Sequence, residues 1–211
     1  GTAYVVMEDL SLEPFGNRLP QLSFEIFRAL DDVERRIQAV NIIPGTTEFG
    51  YDTVDVTRSV QPGVTRSENR HTTLTGTDWT VSLDQLASTC PTVQSVALVV
   101  SWFGMDLRCG VCQIRPGVEI GAKATSPREW AVNGIARADA HQISQVGGKP
   151  AFGSTPSDQS VLAAIADLKT RGKKVVFYPF VMMDIPSGNT LPDPETGLAG
   201  QPAYPWRGQI T

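Results

Sequence analysis

Histidine, cysteine and surplus positive charge are all scarce in this chain of 211 residues, and each shortage removes a class of function. Lys and Arg number 18 against 22 Asp and Glu, a formal net charge of −4, whereas a surface that holds nucleic acid by neutralising phosphates carries a basic stripe. The two histidines, His71 and His141, and the three cysteines, Cys90, Cys109 and Cys112, do not make up a four-ligand zinc set at workable spacing. An odd number of thiols cannot close into a disulfide framework either. Long apolar runs are missing as well. Val96–Phe103 and Val175–Met183 reach less than half of the ~20 residues a helix needs to cross a bilayer, and Pro179 interrupts the second. No basic-then-apolar leader opens the chain. With Gly1 in place of an initiator Met, the expectation is an internal fragment of a longer protein.

Charged residues make up only 19%, below the ~25% usual for soluble domains. Gly and Pro are abundant at 19 and 15, so turns are frequent and long exposed helices are few. The common catalytic signatures are missing: no G-x-S-x-G elbow, no H-E-x-x-H, and no G-x-G-x-x-G after a strand. Gly147-Gly148-Lys149 has the look of a phosphate-loop end, but Pro150 stands where a metal-binding hydroxyl is needed, so it reads as a turn. Cys109-Gly110-Val111-Cys112 has redox spacing. It leads into strand and turn sequence rather than a helix whose N-terminus would lower a thiol pKa, so it reads as partly buried free thiols. No metal site and no cofactor motif emerges.

Two rhythms divide the chain. Residues 1–60 read as β, with strands at Tyr4–Met7 and Leu22–Phe27 and a hairpin of Arg36–Ile43 and Glu48–Val56 around Pro44-Gly45-Thr46-Thr47. Residues 57–77 read as a connector. From Asp78 the pattern becomes helix then strand. Trp79, Leu83 and Leu86 stripe a helix over Asp78–Thr89, stopped by Pro91 before a strand at Ser95–Phe103. Thr155-Pro156-Ser157-Asp158 has capping-box form with Thr155 as the cap; Val161, Ile165 and Leu168 then stripe a helix that ends near Gly172. Lys174–Met183 follows as a strand apolar enough to be buried on both faces. Two such units imply parallel strands in a barrel or a wound layer. Gly104–Phe152 between them reads as an elaborated loop with hairpin-like stretches at Cys112–Ile120 and Trp130–Arg137. The fold class expected is thus an α+β multidomain fragment: a β-rich segment at 1–75, then an incomplete α/β, TIM-barrel-like region at 76–211.

Each apolar strand delivers an acid to its C-terminal end, Asp106 after the first and Asp184 after the second, where barrel chemistry takes place. Glycoside hydrolysis needs two carboxyl groups ~5–9 Å apart, one as acid and one as nucleophile or base. Asp106 and Asp184 are the candidate pair, and Trp102, Phe103, Tyr204 and Trp206 are candidate sugar-stacking faces. The alternative for both acids is loop capping, a common use of Asp after a strand.

Two stretches carry a family resemblance. Ala3–Leu10 and Phe15–Ile26, then the wording from Gly76 through Pro156-Ser157-Asp158, Val175–Phe180 and Tyr204–Gly208, resemble the megatron-type tail-tip hub proteins at the baseplate of tailed phages and gene transfer agents. In that family a β-rich hub precedes a glycoside-hydrolase-like barrel. The resemblance implies a virion component at the tail tip of an extracellular particle, a homotrimer that contacts other baseplate and tail proteins and host envelope polysaccharide, with DNA only in passage during delivery. A full (β/α)₈ barrel takes about 250 residues and only ~135 follow residue 76, so the fragment is expected to turn over no glycan. A glycosidase acting on cell-wall or capsule polysaccharide, and a non-catalytic glycan-binding module, are the alternatives.

Overall fold

The computed structural model describes residues 33–44 and 48–205. It is a mixed α/β structure around a parallel sheet of β1 (Ala39–Ile42), β4 (Ser95–Gly104) and β5 (Lys174–Met183), with β4 in the middle. An antiparallel pair, β2 (Thr57–Gln61) and β3 (Val64–Ser67), lies in a separate sheet. Helix α1 (Asp78–Thr89) connects towards β4, and α2 (Asp158–Thr170) towards β5. The parallel sheet draws its first strand from the chain before residue 76. Ala39 and Lys174 both pair with Ser95, and the β5–β4 register continues unbroken to Met183 opposite Gly104.

The local signals explain both helices. The Thr77 hydroxyl accepts from the Thr80 amide at the start of α1, and the Cys90 amide closes its end on the Leu86 carbonyl at 2.7 Å. In α2 the cap is Ser157, which accepts from the Ser160 amide at 3.2 Å, and not Thr155. The Thr155 hydroxyl is already taken by the Gly117 amide and its carbonyl by the Trp130 indole. Gly172, at φ +72°, ends α2. Its amide reaches Lys169 and that of Lys173 reaches Leu168, a Schellman arrangement that uses the positive φ a glycine tolerates.

Trp79, Leu83, Val161, Ala164 and Leu168 from the helices share one apolar cluster with Val96, Leu98 and Val100 of β4. Both helices therefore lie on the same face of the sheet. Tyr51, fully buried in that cluster, points its hydroxyl at the carbonyls of Ile42 (2.7 Å) and Val99 (2.8 Å), tying β1 to β4.

Several expectations are corrected. Arg36–Ile43 and Glu48–Val56 do not form a hairpin: β1 pairs parallel with β4, and Glu48–Tyr51 is a turn. The buried hydroxyl of Tyr51 and the ion pairs of Glu48 favour that turn over strand pairing; Gly45–Thr47 lie outside the described residues. The presumed connector at 57–77 contains the antiparallel strands β2 and β3, with Arg58 and Glu68 anchoring it. Cys112–Ile120 is no hairpin either, since Ile114–Arg115 pairs with β4 and Gly117–Val118 with His141–Gln142. β5 is not buried on both faces. It has a strand on one side only among the described residues, and Val176, Phe177 and Tyr178 are about half exposed. Gly147 and Gly148 do form a turn, joining antiparallel Gln145–Val146 and Lys149–Pro150, and Trp130–Arg137 contains the expected hairpin. The strands expected at Tyr4–Met7 and Leu22–Phe27 lie outside the described residues. Among the described residues no helix is long and apolar enough to cross a membrane.

Candidate functional site

Asp106 and Asp184 follow the C-terminal ends of neighbouring strands β4 and β5, joined where the Asp184 amide donates to the Gly104 carbonyl at 2.9 Å. Both carboxylates are buried and saturated by protein donors. Asp106 accepts from the Arg108 side chain through both oxygens (2.9 and 2.6 Å), from the Arg108 amide and from the Gln201 side chain at 2.8 Å. These bonds, the Arg108 side chain first, hold its carboxyl well below the usual carboxylate range against the effect of burial. Asp184 accepts from His141 Nε2 at 2.6 Å and from the Ser144 hydroxyl and amide at 2.6 and 3.0 Å. Burial pushes this carboxyl up, but the His141 and Ser144 hydrogen bonds outweigh it and leave it lowered.

This arrangement decides what the acids can do. A glycosidase needs one carboxyl with a raised pKa to donate a proton, and both rim acids are shifted the other way. Asp184 holds His141 through Nε2, whereas the acid of a nucleophilic triad takes Nδ1 and leaves Nε2 for the nucleophile. The Ser144 hydroxyl, bonded to the same carboxylate, spends its proton on Asp184 itself. Asp106 with its i+2 amide bond from Arg108 is a loop-capping acid.

The aromatic candidates divide. Phe103 is fully buried, its ring tilted against His141 and Phe152 with centroids 6.0 Å from each. Phe152 meets Tyr204 edge-on at 5.8 Å, and Tyr204 is half-buried with its amide on the Ile185 carbonyl. These rings form a continuous row at the strand ends. Trp102 stands apart from it, half-buried between the helix-side cluster and a second cluster of Phe49, Val56, Val118, Trp130 and Val132. Trp206 lies outside the described residues.

Sequence reasoning missed the most charged part of the rim. Glu48, 2% exposed, receives both terminal nitrogens of Arg137 and an ion pair from Lys123 at 2.9 Å; Lys123 reaches on to Glu68 at 2.6 Å. Burial works against ionising Glu48, but Arg137 and Lys123 outweigh it and its pKa is lowered. Glu119 is the exception among these acids. Burial, and then the charge of Glu48, raises its pKa, and its Oε1 is buried without a hydrogen bond. None of this was legible in spacing, since Glu48 and Arg137 are 89 residues apart. A groove of about 510 Å³ lies elsewhere, along β1 and α1, lined by Val40, Ile42, Tyr51, Trp79, Leu83 and Leu86, and includes neither rim acid. Among the described residues no group of three or more His, Cys, Asp or Glu could hold a metal ion.

Compared with known proteins, the chain matches no family model and no curated protein.

Proposed function

We propose that this chain is a structural component of a phage-like tail tip, acting through protein contacts on a TIM-barrel-like scaffold rather than through turnover. The observation that carries the reading is the exposed apolar surface of β5. Val176, Phe177 and Tyr178 expose apolar surface along a strand that has a partner on one side only among the described residues. Such a surface invites association unless another polypeptide covers it. A hub in which copies of one chain, expected as a trimer, and neighbouring baseplate and tail proteins enclose a DNA passage supplies such a cover. The consumption of Asp106 and Asp184 by protein donors supports a non-catalytic rim.

Sedimentation of the purified chain tests this. Concentration-dependent association that is reduced by Val176→Thr with Tyr178→Thr is expected; a monomer at every concentration overturns the reading. Reducing-end release from peptidoglycan and capsule tests the alternative, and none is expected.

One observation favours a second reading, glycan hydrolysis: Glu119 is a rim carboxyl with a raised pKa. If reducing ends are released, Glu119 is the proton donor to mutate first. A binding-only variant of this reading rests on the row Phe103, Phe152 and Tyr204, with Tyr204 the ring to replace.

A further inference from the structure

The cysteine pair left aside above acquires a different meaning from its turn. Residues 108–112 form one closed turn in which the Val111 and Cys112 amides both donate to the Arg108 carbonyl, at 3.1 and 2.9 Å. Cys109 and Cys112 thus stand three apart in one helix-like turn. Cys109 is exposed, Cys112 is partly covered, and both are free thiols. Residues three apart in a helical turn have Cβ atoms about 5–6 Å apart, whereas a disulfide needs about 3.5–4.5 Å. Closing that gap requires a small tightening of the turn. Gly110 at its centre has no atom within 4 Å of where a side chain would start, so the middle of the turn has open space beside it. Cys112 packs beside the Leu107, Met183 and Ile185 cluster, which holds the second thiol in place.

We propose that Cys109 and Cys112 form a thiol–disulfide exchange site that accepts oxidation from a small-molecule disulfide of the glutathione class. The exposed Cys109 thiolate attacks one sulfur of the reagent. The reagent S–S bond breaks, a mixed disulfide forms on Cys109, and one reagent thiolate leaves and takes up a proton. Cys112, having lost its proton to water, then attacks Cys109 Sγ. The Cys109–Cys112 bond forms and the second reagent thiolate departs. Two protein thiols are oxidised and one reagent disulfide is reduced to two thiols. The bond closes the turn that carries Arg108 onto Asp106 and, through Asp106, onto Gln201. Oxidation therefore locks the clamp between the end of β4 and the segment around Gln201. The chemistry does not depend on the assembly role.

The test uses the full chain and oxidised glutathione, read by intact mass, thiol titration and peptide mapping. The reduced protein has three thiols. After reaction the expected product has lost two hydrogens and retains one thiol, at Cys90. Cys112→Ser is expected to stop at a glutathione adduct on Cys109, and Cys109→Ser to lose the fast reaction. A wild-type product that keeps the adduct on Cys109, that places Cys90 in the bond, or that retains all three thiols overturns the proposal.

Discussion

β4 and β5 are ten residues each, parallel and paired in register over their full length, and almost equally apolar, yet one is buried and the other is not. Leu98 of β4 is fully buried, while its register partner Phe177 in β5 is 52% exposed. Their surroundings account for the difference. β4 has β1 on one side and β5 on the other, both helices beneath it, and residues 104–154 over its C-terminal half, where Gly117 lies against Phe103 and the Ser101 hydroxyl donates to the Ser154 carbonyl. Among the described residues β5 shares the helix layer but has one strand neighbour, and burial becomes complete only at Met183. An apolar run is therefore evidence for a strand and not for its depth.

The largest expected effect breaks the cover over β4. Glu48 links Ser154 to Arg137 and Lys123 beneath that cover. Glu48→Ala leaves the buried Arg137 guanidinium without its carboxylate and Lys123 with Glu68 alone, and a loss of about 3–5 kcal/mol is expected. Urea unfolding of the two proteins measures it, and a change under ~1 kcal/mol shows the ion cluster to be dispensable.

Next comes the direct contrast between the strands. Leu98→Ala should cost about 2–5 kcal/mol as a buried cavity, and Phe177→Ala at the partner position within about 1 kcal/mol as a surface change. Equal losses at the two positions, compared in dilute solution by urea unfolding, mean that β5 is covered there too, and remove the exposed apolar surface on which the assembly reading rests.

A smaller effect tests the acid at the end of β5. Asp184→Asn weakens the hydrogen bonds to His141 and Ser144, at an expected cost of about 1–3 kcal/mol near neutral pH. Because the folded pKa of Asp184 is lowered from 3.8, the ionised carboxylate stabilises the protein above that value, and the contribution is lost as pH falls through the folded pKa. The variant should therefore converge on the wild type in strong acid. A pH-independent difference would show a steric cause instead.

Glu119 gives the smallest change and the opposite sign. Its folded pKa is raised above 4.5, so its favourable contribution is present below that value and is lost as pH rises through the folded pKa. Glu119→Gln should stabilise slightly at neutral pH, with the gain vanishing at pH values below 4.5. Thermal unfolding across that range reads it, and destabilisation at pH 7 would mean that the ionised carboxylate has a partner after all.

Much of the helical architecture was readable because its signals are local. The bounds of α1 follow from the Trp79, Leu83 and Leu86 stripe and Pro91; the end of α2 follows from Gly172. The start of α2 was misread by two residues, since Thr155 and Ser157 are equivalent caps on paper. Only the contacts that occupy Thr155 choose between them. The rim positions of Asp106 and Asp184 were readable for the same local reason, each following an apolar run, but their partners His141, Ser144 and Gln201 lie 43, 40 and 95 residues away.

The sequence by itself determined which segments are helices and which apolar runs are strands, because periodicity, caps and glycine turns act over a few residues. Tertiary structure alone decided that β1 joins β4 in parallel instead of forming a hairpin, that β4 lies between two strands while β5 has one strand neighbour among the described residues, and that the rim carboxylates are spent on protein donors. Those outcomes depend on which distant groups arrive at the same place, and no spacing along the chain encodes that meeting.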